Sequence, residues 1–179
     1  ERLMQPTDRQ VVFYYQGEAI MIDEPMDTML NARDTYLYKG ARSVFRAGER
    51  VSRTKVVELF GEPELIIVNA DYAGPDGMTG DLVLVVYPDL MLSVIGTYDE
   101  DHASWEGRIS KIRLRAGDAG YTIGRQIRTG MSREEIVALY PFADQADYSL
   151  DRVIDGVNYR LTFVFDDANP MILRSVVLD

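Results

Sequence analysis

Val51-Ser-Arg-Thr-Lys-Val-Val-Glu-Leu-Phe60 recurs further along the chain as Met131-Ser-Arg-Glu-Glu-Ile-Val-Ala-Leu-Tyr140. Ser52 and Ser132, Arg53 and Arg133, Val57 and Val137, and Leu59 and Leu139 are identical; Val51/Met131, Val56/Ile136 and Phe60/Tyr140 are conservative pairs. Each copy predicts a short helix behind a serine N-cap, whose hydroxyl accepts from the free N–H groups of the first turn. Glu135 stands three residues after Ser132 and completes a capping box, whereas Lys55 holds that place in the first copy and cannot. Positions 56, 59 and 60, and 136, 139 and 140, have the i, i+3, i+4 spacing of one buried face, so Leu59 and Leu139 are expected in the core.

Around these helices the chain reads mostly as strands. Val11-Val-Phe-Tyr-Tyr15 and Ala19-Ile-Met-Ile22 flank Gln16-Gly17-Glu18 as a hairpin. Pro25 stands where a short helix can start. Residues 31–50 read as irregular, with apolar clusters at Tyr36-Leu-Tyr38 and Val44-Phe45. After Gly61-Glu-Pro63 closes the first helix, Leu65-Ile-Ile-Val-Asn69 is a strand. Leu82-Val-Leu-Val-Val-Tyr87 and Met91-Leu-Ser-Val-Ile95 form a hairpin, with Leu82, Leu84 and Val86 taken as its inward positions, and residues 96–107 read as a polar loop. Ser110-Lys-Ile-Arg-Leu-Arg115 alternates strictly, which turns Ile112 and Leu114 inward and Lys111, Arg113 and Arg115 outward. In the second unit, Asp155-Gly156 joins two strands as a tight hairpin. Leu161, Phe163 and Phe165 then alternate inward, and Val176 and Leu178 close the chain in the manner of Ile112 and Leu114. Two tandem helix-plus-antiparallel-sheet repeats follow, an α+β fold. A first unit at 1–117, with the N-terminal hairpin, and a second at 118–179 meet at Ala116-Gly-Asp-Ala-Gly120, whether as two units or as one continuous domain.

Composition bounds the function. Asp and Glu number 29 against 19 Lys and Arg, for a net charge of −10, the wrong sign for a general nucleic-acid binder. There is no cysteine, which removes disulfides, thiol catalysis and cysteine metal sites. No apolar run has the length of a membrane span.

A tandem repeat of short helix plus antiparallel strands resembles the β-lactamase inhibitor protein-like fold, which also occurs in the SmpA/OmlA family of outer-membrane lipoproteins. Thr129-Gly-Met-Ser-Arg-Glu-Glu-Ile-Val-Ala-Leu-Tyr140 is similar to that family's helix entry, and Leu59-Phe-Gly-Glu-Pro63, with Phe60 inserted before the glycine, to its exit. The run from Ile109 to Pro141 is similar to uncharacterised extracytoplasmic lipoproteins of Gram-positive bacteria. Pro141 stands where that pattern has glycine, and no cysteine is present to carry a lipid. The resemblance implies a non-catalytic, extracytoplasmic protein, secreted or lipid-anchored, that binds another protein through its sheet and needs no cofactor. A leader of the kind such proteins carry would lie upstream of Glu1 and is not in this sequence.

Two candidate sites stand out. Lys111, Arg113 and Arg115, with Arg108 before them, form a basic row in an acidic protein. With Val83, Val85 and Tyr87 as an apolar floor on the same face, and with Tyr98 and Trp105 nearby, they make a surface for an acidic protein partner. The plainer reading is a solvated sheet face or a charge-protected edge. The second candidate is Tyr98-Asp-Glu-Asp-His102, with Trp105, where an imidazole meets carboxylates as a metal, small-ligand or hydrolytic site. Its plainer reading is a solvated acidic loop, since transition-metal sites usually need two or more convergent nitrogen or sulfur ligands and this chain has a single histidine.

Overall fold

The computed structural model describes residues 11–15, 18–22, 30–74, 77–116, 120–141, 143 and 148–179. In chain order its elements are β1 (Val11–Tyr15), β2 (Glu18–Ile22), a 3-10 turn (Ala32–Thr35), β3 (Tyr36–Lys39), β4 (Arg42–Arg46), β5 (Arg50–Ser52) and α1 (Arg53–Phe60). Then come β6 (Leu65–Ala73), β7 (Thr79–Val86), β8 (Leu90–Asp99), β9 (Ser104–Leu114), β10 (Tyr121–Ile123), α2 (Arg133–Leu139), β11 (Ser149–Ile154), β12 (Val157–Phe165) and β13 (Leu173–Leu178). β1 and β2 pair with each other, as expected, while the helix expected from Pro25 lies outside the described residues.

The remaining strands build two antiparallel sheets. One has three strands in the order β10-β3-β4. The other has eight, running β11-β12-β13-β9-β8-β7-β6 with β5 paired to the N-terminal half of β9. This overturns the α+β expectation of two helix-plus-sheet repeats. The fold is sheet-rich, and among the described residues its α-helices are α1, of eight residues, and α2, of seven. Both halves of the chain feed their strands into one sheet, joined where Val177 of β13 faces Arg113 of β9.

Two stretches read as irregular are in fact strands. Residues 36–46 form the β3–β4 hairpin, and the loop expected at 96–107 shrinks to a turn at 100–103 between the paired ends of β8 and β9. Gly96 and Gly107 look like breakers in the sequence, but they lie directly opposite each other in the ladder. A Cβ on Gly96 would sit 2.0 Å from the Glu106 carbonyl oxygen, and one on Gly107 2.4 Å from that of Ile95. These glycines allow a close backbone approach inside a strand rather than ending one.

The repeated segments do fold alike. Ser52 Oγ accepts from the Lys55 N–H at 3.4 Å, and Ser132 Oγ from the Glu135 N–H at 3.2 Å. Only the second copy closes the box, with Glu135 Oε2 accepting from the Ser132 N–H at 2.7 Å. That bond, and the Ser132 hydroxyl beside it, hold the Glu135 carboxyl below its usual range. The buried seam is Val56 in α1 and Ile136, with Tyr140 just past it, in the second copy. Leu59 and Leu139 are only half-buried at the rim of the core, because a helix of two turns presents one narrow stripe and they lie on its flank.

One face of the large sheet carries the core. Val83, Val85, Leu92, Val94, Ile112, Leu114, Leu161 and Val176 are all buried there. Phe60 of α1 packs at 5.6 Å, centroid to centroid, on both Phe45 of β4 and Tyr87 beyond β7. Tyr140 packs at 5.5 Å on Phe163 of β12. The 3-10 turn is pinned to the end of α2 by a buried network: the Tyr140 hydroxyl donates to Asp34 Oδ1 at 2.6 Å, with Arg125 Nε 3.5 Å from the same oxygen.

Candidate interaction face

The other face of the sheet is the open one, and strand register decides which residues reach it. Met91 of β8 lies between Val86 of β7 and Arg113 of β9, and Ser93 lies between Leu84 and Lys111. Leu84 and Val86 in turn face Ile67 and Leu65 of β6. Because side chains alternate along a strand, Leu65, Ile67, Leu84, Val86 and Met91 share a face with Lys111 and Arg113. Leu65 and Ile67 are 51% and 46% exposed, and Leu84, Val86 and Met91 are half-buried.

The basic row therefore has an apolar floor, but not the one expected. Val83 and Val85 point into the core, each 1% exposed, and Tyr87 is buried with its hydroxyl donating to the Gly61 carbonyl oxygen at 2.9 Å. Burial, with the charge of Glu62 next, pushes the Tyr87 phenol up to about 12. Residues 82–86 are apolar at every position, so period-two alternation carries no information about which face is inside. Leu82, Leu84 and Val86, taken as core positions, are the half-exposed set.

The cations lie along the central strand. Arg108, Lys111, Arg113 and Arg115 belong to the row, and Arg50 of β5 is directly opposite Arg108. Lys111 Nζ is 3.3 Å from Asp179 Oδ2. Arg113 donates through Nε to Ser175 Oγ at 3.0 Å, and among the described residues its two terminal nitrogens have no hydrogen-bond partner. Arg115 is exposed and, among the described residues, its side chain has no ion pair. Arg174 joins them at one end of the sheet, lining with Arg113, Arg115, Ser175, Val86 and Met91 a cleft of about 390 Å³. Arg174 was not singled out in the sequence, because the strand that carries it has no run of charge to draw attention to it.

Tyr98 and Trp105 lie apart from this row. They face each other across β8 and β9 on the core side, Trp105 only 4% exposed and its indole nitrogen without a hydrogen-bond acceptor among the described residues. Trp105 is thus a plug under the α1 end of the sheet. His102 sits in the β8–β9 turn, 77% exposed, with Nδ1 2.8 Å from Asp99 Oδ2. Among the described residues no three His, Cys, Asp or Glu side chains are grouped to hold a metal ion. No described helix is long and apolar enough to cross a membrane.

Comparison with known proteins adds no relative. No family model matches the chain, no curated protein matches its sequence, and no solved structure matches its fold. The functional reading therefore rests on the face itself.

Proposed function

We propose that this protein is a non-catalytic interaction module that holds an acidic protein partner on the open face of its eight-stranded sheet. The observation that carries the reading is the juxtaposition of a half-exposed apolar floor on β6, β7 and β8 with a row of cations along β9, in a chain of net charge −10. Apolar and arginine side chains side by side supply both a desolvated anchor and a steering field. The chain as a whole is net acidic, so away from this face it would on balance repel the same partner, and the field also favours one docking orientation. An extracytoplasmic setting, secreted or lipid-anchored, belongs to the same proposal and rests on the sequence resemblance.

The test uses the immobilised protein, cell-envelope fractions, and a variant combining Ile67→Asp with Arg108→Glu. Both side chains are at the surface, so the fold should survive the change, which circular dichroism checks. The expected result is a partner identified by mass spectrometry whose recovery falls about tenfold in the variant and declines as salt rises. Undiminished recovery in the variant would refute the proposed face. A thermal shift with a metal or metabolite that is lost on His102→Ala would instead favour a ligand site at the β8–β9 turn.

A further inference from the structure

We infer that the cleft between Arg113, Arg115 and Arg174 is an anchor pocket for a carboxylate carried beside an aliphatic side chain, an acidic-apolar segment of the partner chain. The inference rests on the proposed use of the open face and goes beyond it by naming the point of attachment and its chemistry.

Three guanidinium-bearing residues line one cleft of about 390 Å³, with the Ser175 hydroxyl among them. Each guanidinium offers planar paired donors that match the two oxygens of a carboxylate. Arg113 is already oriented, because its Nε–H is committed to Ser175 Oγ at 3.0 Å and Ser175 is itself only 2% exposed. Fixing the Arg113 fork in advance lowers the entropy lost when an anion binds. Arg115 is held at the backbone, its N–H donating to the Asp89 carbonyl oxygen at 2.8 Å, while its side chain is exposed and without an ion pair among the described residues. Arg174 has a competitor in Asp167, but that contact is 3.6 Å long and the Asp167 side chain is 98% exposed. An exposed pair of this kind contributes little, and an incoming carboxylate can displace it at small cost.

The cleft wall opposite the cations argues against a purely ionic ligand. Val86 and Met91 are half-buried and directly paired across β7 and β8, and Met91 faces Arg113 across β8 and β9. A free inorganic anion would leave this apolar wall unused. A glutamate or aspartate next to leucine or a similar residue fills both halves, the carboxylate on the arginines and the aliphatic group on Val86 and Met91. Methionine adapts to varied apolar shapes, so the wall fixes the class of side chain rather than one residue.

The experiment is fluorescence polarisation with a short labelled peptide alternating glutamate and leucine, titrated with the full chain. Two control peptides replace either every glutamate by glutamine or every leucine by serine, and citrate is the competitor. The glutamate–leucine peptide should bind saturably and more weakly as salt rises, while each control should bind about tenfold more weakly or worse. Arg115→Gln with Arg174→Gln, both at exposed positions, should lower the affinity about tenfold, and Met91→Ser should weaken the parent peptide more than the serine peptide. Citrate displacing the peptide with an affinity equal to the peptide's own would overturn the apolar half of the inference and point to a free polycarboxylate as the source of the anion. No peptide binding, or binding unchanged in Arg115→Gln with Arg174→Gln, would overturn the pocket altogether. If that double variant still captures the partner from envelope fractions while Ile67→Asp with Arg108→Glu does not, the face is right and the pocket is wrong.

Discussion

Replacing Tyr140 by phenylalanine should destabilise the protein by about 2–4 kcal/mol while leaving its shape intact. The figure follows from the bonds the hydroxyl makes. It donates to Asp34 Oδ1 at 2.6 Å and accepts from the Arg125 N–H at 3.1 Å, and Asp34 is wholly buried. Losing a hydrogen bond to a charged group costs about 1.5–3 kcal/mol, and leaving the part-buried Arg125 N–H without this acceptor adds at most about 1 kcal/mol, the low end for a buried donor. The guanidinium of Arg125, 3.5 Å from the same carboxylate oxygen, and the Asn31 N–H, 2.8 Å from the other, remain to offset part of that loss. The aromatic packing on Phe163 is kept, so no cavity term enters. For a chain of this length the melting temperature should fall by about 5–15 °C. Urea denaturation of the wild type, Tyr140→Phe, Asp34→Asn and the double variant would give the coupling between the two groups, expected at 1 kcal/mol or more. A loss under about 0.5 kcal/mol for Tyr140→Phe, or additive single effects, would refute the idea that this network ties the 3-10 turn to α2.

Three further outcomes follow from the same geometry. Tyr87 has its phenol raised from 10.0 to about 12, and Tyr140 is raised further, burial being the first cause in both. An acid whose pKa is raised by folding ionises first in the unfolded chain, so stability should hold below pH 10 and fall between pH 10 and 12, less steeply in Tyr87→Phe by denaturation midpoints. Gly96→Ala should cost about 1–3 kcal/mol or more, since its Cβ would sit 2.0 Å from a carbonyl oxygen of the neighbouring strand, and thermal melts would show it. Ser132→Ala should cost about 1 kcal/mol and Ser52→Ala about 0.5 kcal/mol, because only the former loses a closed box, and paired urea titrations would resolve the difference.

The two short helices were legible because capping chemistry and helical spacing are local: Ser52 and Ser132 cap where the sequence placed them, and Asp155 and Gly156 make the expected turn, both at positive φ. Strict alternation also placed Ile112 and Leu114 inward with Lys111 and Arg113 outward. What the sequence hid was non-local. The joining of both halves into one sheet depends on β9 meeting β13, a pairing between distant strands that no motif announces. Residues 82–86 of β7, apolar at every position, carry no phase, so the pattern puts Val83, Val85 and Tyr87 on the face that Leu84 and Val86 occupy. Gly96 and Gly107 looked like loop residues because close packing against a neighbouring backbone and turn formation both select glycine. Arg174 joins the cleft only through tertiary contact, so its part in the candidate site could not be read from spacing.

The most direct test of the proposed face is side-chain oxidation footprinting of the protein alone and in complex with the partner it captures. The face reading predicts protection at Leu65, Ile67 and Met91, with the exposed flanks of α1 and α2 as reactive as in the free protein. Protection of the helix flanks or of the His102 turn, with Met91, Leu65 and Ile67 unchanged, would contradict it.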